Sequence, residues 1–445
     1  MLACYHRSLL LVTVTLLAVF SSLNAAKIVA GPMVGAPEMR AISLWVQTDA
    51  PAKVSFAYWP KGYPGQRNQT PTVETQQANG FVAEAAAAPL VPGTTYEYSV
   101  VINGTAVQSD HATEFSTTPF FTDRAPPPDF TIALGSDNRV NDELYDPLNR
   151  SPGDGYDIFL AILAKDPAFM LWAGDAVNLR EPDWGSREGM IERYSFNRKQ
   201  PELQPLLAKV PQVAAFSQGE FGPTNNGKHF NNLGSAQEVF DLFWANPSSP
   251  QSVDGMATVV RYGDAEFYIL DDRTNRDLDH TVPKQKKVFG DEQLEWLRRS
   301  LRQSDATFKV VVSGTPALSP VEIPRNLRMA KPEQERMIDK LKDDKIEGLI
   351  FVAGGKDFGE FTKMVRANAP DLYELTLGPL TDRPAEKTRE LNFYRVPSTS
   401  TFTRQFATMR FHGAEGDRQI TISVFNTLGG QLWTQTIPRS QMRFN

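Results

Sequence analysis

The period at which apolar residues recur changes at one place in this chain, the segment 125–129 with its three consecutive prolines at 126–128. Before this run apolar and polar residues alternate, for example at 42–46, and glycine or proline turns separate the alternating segments. A period of two is typical of strands with one buried face, and short strands separated by turns indicate a β-sandwich. We therefore predict a sandwich domain at 27–122 and a stiff, extended linker at 123–129, because consecutive prolines favour polyproline II.

The segment at 90–96 is similar to the tyrosine corner of fibronectin or immunoglobulin-like sandwiches, which supports the first prediction. After the linker the pattern is different. Apolar runs such as 130–134 and 169–172 indicate buried strands, and segments with helical spacing lie between them. Alternating strands and helices predict an α/β domain at 130–445, with sheets covered by helices.

The first 26 residues have the pattern of a secretory signal peptide. A basic start precedes an apolar run at 9–20, and small residues follow it at 21–26, so we predict cleavage after Ala25 or Ala26. The alternative is an uncleaved anchor, although the run is too short to span a bilayer. Cleavage would give an exported protein, periplasmic or extracellular, without a membrane span.

Charge and cysteine content exclude several classes of function. The chain has 46 Lys and Arg against 52 Asp and Glu, a formal net charge of −6, and therefore no basic surplus to hold a nucleic-acid backbone. We expect no nucleic acid as a standing partner. The single cysteine, Cys4, lies in the predicted signal peptide, so we also expect no disulfide and no thiolate chemistry in the mature chain.

Carboxylates follow the ends of five predicted strands. In α/β sheets the loops that leave the carboxyl ends of strands carry the functional residues. Repelling carboxylates are stable together only around a cation, so this pattern predicts a metal site. The candidate ligands are Asp137, Asp175, Asn178, Glu220 and Asp357. The alternative is that these acids are solvated turn residues or helix caps.

Several long segments resemble the PhoD-like alkaline phosphatases and phosphodiesterases, a branch of the calcineurin-like metallophosphoesterases. They lie at 169–175, 179–186, 267–273, 290–297 and 307–309, and the resemblance extends over about 31–439. It implies an N-terminal sandwich followed by a metallophosphoesterase-type α/β sandwich with two sheets flanked by helices. It also implies hydrolysis of phosphomono- or diesters at a dinuclear centre of iron, calcium or zinc, held by Asp, Asn and His.

The ligand positions implied by the resemblance are only partly retained. Asp137 stands where the family commonly has an iron-binding cysteine, Asp175 is the usual bridging ligand, and Asn178 replaces a tyrosine. In the third block the residues at 217–219 replace Asp, Asp and His. In the fourth block those at 357–358 replace two histidines.

No histidine occupies a ligand position that the resemblance implies. Of the histidines at 111, 229, 280 and 412, only His229 and His280 follow candidate loops and could turn inward. Without imidazole or thiolate a dinuclear iron or zinc centre is poorly supported, whereas an all-oxygen set suits one Ca²⁺ or Mg²⁺ ion. We therefore expect a catalytically weak or inactive family member. The alternative is an active phosphoesterase with an oxygen-rich metal site.

Two cationic residues are candidate contacts for an anionic ligand. Arg180 and Lys356 follow candidate strands, although Arg180 and Arg273 also suit salt bridges within the scaffold. The expected ligand is a phosphoester or another anionic small molecule, and a protein partner is the further candidate.

Overall fold

The computed structural model describes residues 26–146, 156–224 and 226–444. The predicted signal peptide, apart from its last residue, lies outside these ranges. Within them, no helix is long and apolar enough to cross a membrane.

The N-terminal domain consists of two antiparallel sheets packed face to face, as the alternating pattern predicts. Its strands are β1 (Ile28–Val34), β2 (Ile42–Thr48), β3 (Lys53–Pro60), β4 (Asn68–Gln69), β5 (Val73–Glu74), β6 (Val82–Ala87), β7 (Thr95–Ile102), β8 (Thr105–Ala106) and β9 (Glu114–Ser116). One sheet has the order β1-β2-β6, and the other is built around β3 and β7. Their inner faces form one apolar core. The Val91 N–H donates a 2.9 Å hydrogen bond to the Tyr96 hydroxyl, which is the contact of a tyrosine corner.

The second domain contains two mixed sheets that face each other. Its strands are β10 (Phe130–Gly135), β11 (Met170–Trp172), β12 (Gln212–Ala214), β13 (Thr258–Tyr262), β14 (Ala265–Ile269), β15 (Phe308–Ser313), β16 (Leu349–Ala353), β17 (Glu360–Met364), β18 (Leu372–Thr376), β19 (Gln405–His412), β20 (Gln419–Asn426) and β21 (Gln431–Pro438). The sheet orders are β12-β11-β10-β19-β20-β21 and β13-β14-β15-β16-β18-β17. Aliphatic and aromatic side chains from both sheets fill the space between them.

Helices cover the outer faces of these sheets, in agreement with the predicted α/β class. They are α1 (Ile158–Leu163), α2 (Arg187–Arg198), α3 (Gln204–Lys209), α4 (Gln218–Phe221), α5 (Leu233–Phe243), α6 (Asp291–Gln303) and α7 (Lys331–Asp343). α1, α2, α3 and α5 share a core with the sheet that contains β11, and α6 and α7 share one with the other sheet.

The two domains are joined by buried polar contacts as well as by packing. The Tyr98 hydroxyl of β7 donates to the Ala208 carbonyl of α3 at 2.8 Å, and the Trp45 indole N–H of β2 donates to the Leu242 carbonyl of α5 at 2.9 Å. The sandwich therefore rests on the helical layer of the second domain.

The topology brings the chemistry-bearing loops together. β10, β11 and β12 are parallel, as are β14, β15, β16 and β18, so within each set the carboxyl ends lie at one edge of the sheet. The loops that leave these edges form the site described next.

Candidate functional site

A cleft of about 560 Å³ opens at the carboxyl ends of the parallel strands. Its charged lining consists of Asp137, Arg139, Asp175, Arg180, Arg273, Arg276, Asp279, Arg325 and Asp382. Arginines and aspartates therefore share the cleft, which is the composition expected of a site for an anion, for a cation, or for both together.

Asp137 and Asp175 occupy equivalent places at the ends of the neighbouring strands β10 and β11. Both have left-handed backbone conformations, with φ of 52° and 54°. Aspartate is among the few side chains that tolerate this region, and such strained positions cluster at functional sites. The backbone N–H of Asn138 bonds the Asp175 carbonyl at 2.8 Å, which holds the two turns side by side.

The carboxyl groups of Asp137 and Asp175 influence each other's acidity. Burial raises the pKa of Asp137 well above its usual range, and the negative charges of Asp175 and Asp382 raise it further. Burial also raises the pKa of Asp175, although the Gly219 N–H, which donates to Oδ1 at 2.5 Å, opposes this. Burial and the neighbouring negative charges therefore favour the protonated form of Asp137.

Asn178 completes the oxygen-bearing part of the cleft. Its Nδ2 donates to the backbone carbonyls of Asn138 at 3.2 Å and Asp175 at 3.5 Å. This orientation keeps the amide nitrogen against the backbone. Three of the five predicted metal ligands, Asp137, Asp175 and Asn178, thus lie together.

Glu220 lies beneath the Asp175 loop and does not face the cleft. It is fully buried, and its oxygens accept hydrogen bonds from the backbone N–H groups of Asp175, Ala176, Val177 and Ser217. Burial and the charge of Asp175 raise the pKa of Glu220 to about 8. The structure assigns it a positioning role in place of the predicted ligand role.

Asp357 is also separated from the other candidates. It is exposed and lies in a surface groove beside Arg383 and Lys387, outside the lining of the main cleft. The backbone turns after β16 so that Gly355 reaches the cleft and Asp357 does not. The predicted grouping of Asp357 with Asp175 is therefore corrected.

Arg180 lines the cleft, but scaffold acceptors occupy its side-chain nitrogens. Nε and Nη2 form a two-pronged contact with Asp146 at 3.0 and 2.5 Å, Nη1 donates to the Asn178 carbonyl at 2.7 Å, and Nη2 also donates to the Val140 carbonyl. Burial raises the pKa of Asp146, but hydrogen bonds from Arg180 and Arg139 outweigh it and lower the pKa below its usual range. Of the two roles predicted for Arg180, anion contact and salt bridge within the scaffold, the structure shows the salt bridge.

Lys356 is buried and pairs with Glu390, while its Nζ also lies 3.4 Å from Asn326 Oδ1. It lies outside the cleft lining and does not reach the cleft as an anion contact.

Arg273 and Arg276 are two cleft arginines that are buried and also have side-chain nitrogens without a hydrogen-bond partner among the described residues. Both are buried, with exposed fractions of 6% and 2%, and the Nε and Nη1 atoms of each have no hydrogen-bond partner among the described residues. Arg273 Nε lies 3.5 Å from Asp272 Oδ1, while Arg276 Nη2 bonds Asp279 at 3.2 Å and the Pro324 carbonyl at 2.6 Å. A buried guanidinium with unmatched N–H groups is costly unless a further acceptor is present.

Other side chains of the cleft were not singled out by sequence reasoning. The sequence could have indicated Arg276, because it lies three residues after the Asp271-Asp272-Arg273 segment at a strand end. Arg325 and Asp382 lie in long loops without a motif, so no sequence pattern indicated them. None of the chain's histidines is among the lining residues that the structure describes. In the same parts of the chain, no group of three or more His, Cys, Asp or Glu side chains is placed to hold a metal ion.

Two facing mixed sheets, flanked by helices and carrying a cleft at their strand ends, define an α/β sandwich. The solved structure described as "Structure of PhoD" has this fold, with a TM-score of 0.73 at 15% identity over 93% of this chain and 90% of that one. Residues 244–422 match the family model described as PhoD-like phosphatase. Residues 244–422 therefore carry a PhoD-like phosphatase domain by the family model, and the chain has the fold of the solved PhoD structure.

The remaining comparisons are more limited. Residues 25–120 match a domain of unknown function, DUF7800. A sensor domain of the anti-sigma factor RsgI4 from Pseudobacteroides cellulosolvens aligns over 22% of this chain and all of that one, at 19% identity and a TM-score of 0.18. A Vps29 mutant from Entamoeba histolytica aligns over 69% of this chain and 98% of that one, at 12% identity and a TM-score of 0.26. No curated protein matches the chain.

Proposed function

We propose that this protein binds a phosphoester or a related anionic small molecule in the cleft and hydrolyses it weakly or not at all. The observation that carries the proposal is the pair Arg273 and Arg276, two buried cationic residues in the lining of the cleft. Planar guanidinium groups suit the oxygens of a phosphate group. A bound phosphate would supply a counter-charge to these two buried cations.

Weak catalysis follows from the donor set. Asp137, Asp175 and Asn178 supply oxygen atoms, which suit one hard cation such as Ca²⁺ or Mg²⁺ better than iron or zinc. Gly219 stands where the family has a histidine and supplies no imidazole. Hydrolysis by a two-metal mechanism depends on both ions to stabilise the attacking and leaving oxygens, so one ion would leave it slow.

The second candidate is an active phosphoesterase with a single Ca²⁺ or Mg²⁺ ion held by Asp137, Asp175 and Asn178. The location of these three residues in one cleft favours it. When bound, such an ion would polarise the phosphoryl oxygen. Arg273 and Arg276 would then orient the phosphate group.

Metal content, ligand binding and turnover separate the two candidates. The purified protein is dialysed against calcium, magnesium, manganese, iron and zinc in turn, and metal per chain is measured by mass spectrometry. Inorganic phosphate is then titrated calorimetrically against the wild type and Arg273→Met, with Arg302→Met on the exposed face of α6 as control. We expect Arg273→Met to weaken phosphate binding at least about tenfold, because a charge-assisted contact is lost, and Arg302→Met to leave it unchanged.

Turnover of p-nitrophenyl phosphate decides the catalytic part of the proposal. We expect a rate close to background that Asp175→Ala hardly changes. A high wild-type rate that Asp175→Ala abolishes would establish the second candidate instead.

We further propose that the protein is exported after removal of its first 25 or 26 residues. The support is the apolar run at 9–20 with small residues behind it. Sequencing the N-terminus of the protein from its native host should give Ala26 or Lys27, and a chain that begins at Met1 would contradict export by cleavage.

A further inference from the structure

The cleft is larger than a phosphate group requires. Its volume is about 560 Å³. Pockets that bind organic ligands have volumes of roughly 300–1,000 Å³, so the cleft lies within this range. The charged side chains do not account for the whole lining, since Leu179, Trp184, Ile323 and Pro324 contribute apolar surface. The cleft thus combines an anion-binding part with an apolar part.

Trp184 is the aromatic side chain of this lining, and its backbone is firmly held. The preceding residue, Asp183, is buried and accepts hydrogen bonds from the Arg180 backbone N–H at 2.7 Å and from Arg193 Nε at 2.9 Å. The Trp184 carbonyl accepts a 2.7 Å hydrogen bond from Asn232. These hydrogen bonds fix the position of the Trp184 backbone and therefore the place from which its indole enters the cleft lining.

Gly222 makes room for one edge of the indole. Its φ is +125°, and a Cβ atom built there would lie 2.9 Å from Trp184 Cδ1 and 3.2 Å from Nε1. A side chain at this position would displace the ring. The Nε1 atom is buried and has no hydrogen-bond partner in the described parts of the chain, so the part of the indole that reaches the cleft is its apolar ring.

We propose that the anionic ligand is a phosphoester of a planar aromatic or heteroaromatic group, and that Trp184 is the residue that selects this group. This inference rests on the proposed function. The phosphate lies toward Arg273 and Arg276, and the ring lies along the apolar lining. Tryptophan suits this role because it offers a large rigid surface to another ring and loses little conformational freedom.

Matched ligands with the same head group test the inference. Inorganic phosphate, methyl phosphate and phenyl phosphate are titrated calorimetrically against the wild type, Trp184→Ala and Trp184→Leu. We expect phenyl phosphate to bind the wild type about tenfold more tightly than methyl phosphate, since an aromatic pair contributes up to about 1.5 kcal/mol beyond its buried area. Both variants should reduce this preference to less than about twofold.

Trp184→Leu retains apolar bulk, so it still tests the inference if Trp184→Ala does not fold. Thermal unfolding verifies that each variant is folded. Equal affinity of the wild type for methyl and phenyl phosphate overturns this inference alone, as does a preference that survives in both variants. Absence of binding by all three phosphates overturns the proposed function and this inference with it. Trp59→Phe, in the sandwich, is the control for a tryptophan remote from the cleft.

Discussion

Both oxygens of Glu220 support the loop that presents Asp175. Oε1 accepts hydrogen bonds from the backbone N–H groups of Ala176 at 2.5 Å and Val177 at 3.2 Å, and Oε2 accepts one from Asp175 at 3.1 Å. Oε2 also accepts one from Ser217 at 3.1 Å and so ties the start of α4 to the same loop. Glu220 thus fixes the shape of a loop that lines the cleft, although its own side chain does not face the cleft.

Glu220→Gln should destabilise the protein and weaken ligand binding together. The amide group would turn N–H donors toward backbone N–H groups that now have an acceptor, and buried donors left without an acceptor cost about 1–3 kcal/mol. Urea unfolding measures the stability, and phosphate titration measures the binding. Glu192→Gln, on the exposed side of α2, is the matched control, and an equally small effect of both variants would contradict the positioning role.

Gly219→Ala should disturb the same loop by steric conflict. A Cβ atom at this position would lie 2.4 Å from the Val177 carbonyl oxygen and 3.0 Å from the Asp175 Cα, both of which are backbone atoms. We expect a loss of about 1–3 kcal/mol in the free energy of unfolding. The control is Gly185→Ala, where the added atom meets open space.

The same lack of space at position 219 limits attempts to introduce the histidine that the resemblance to the PhoD-like phosphatases implies there. A histidine at position 219 needs the same space, so Gly219→His alone should lower stability without creating metal binding. A variant that folds normally and binds zinc would show that the loop adapts.

Arg418→Met should be among the most damaging single changes outside the cleft. Arg418 is buried, and its Nε and Nη2 contact both oxygens of the buried Asp264 at 3.0 and 2.8 Å, while Nη1 bonds Asp129 of the linker at 2.9 Å. Removing the cation leaves Asp264 buried without its counter-charge, which costs about 3–5 kcal/mol.

Arg410→Met is the control for this prediction, because Arg410 contacts the same Asp129 at 3.4 Å but its side chain is 55% exposed. We expect a change below about 1 kcal/mol. Chemical unfolding of both variants measures the difference, and similar losses would contradict the importance of burial.

Stability should fall with rising pH through the titration of Glu374 in β18. Its pKa is raised from 4.5 to about 7, mainly by burial; hydrogen bonds from the Leu318 and Ala317 N–H groups oppose the rise, and the charge of Glu360 adds to it. Between these two pKa values the folded protein retains a proton that the unfolded chain has released, so the contribution to stability declines as pH increases. The accumulated loss is about 2–3 kcal/mol between about pH 5 and pH 8.

Glu374→Gln removes this titration. Urea unfolding of the wild type and the variant across the same pH range should show a wild-type advantage that shrinks as pH rises. The substitution can also change the free energy of unfolding by a constant amount at every pH. If the difference in this free energy between wild type and variant does not depend on pH, the raised pKa of Glu374 is contradicted.

Local sequence patterns predicted the elements that carry the cleft. The apolar run at 130–134 becomes β10, which ends at Gly135 just before Asp137, and the run at 169–172 leads through β11 to Asp175. These predictions succeeded because a buried strand needs apolar side chains on both faces and the loop behind it needs turn-forming residues. The Ser217–Glu220 spacing is itself a capping-box pattern, so the inward role of Glu220 had a signal in the sequence.

The amino-acid sequence by itself determined the two-domain order, the α/β class and the polar loops at the strand ends, because periodicity and turn chemistry are local properties. Only the tertiary structure decided which loop residues meet. It brought Asp137, Asp175, Asn178, Arg273 and Arg276 together, placed Glu220 beneath a loop and left Asp357 outside. The physical reason is that a side chain's direction at a strand end depends on a few backbone dihedral angles and on contacts between residues distant in sequence, as the hydrogen bond from Gly219 to Asp175 illustrates.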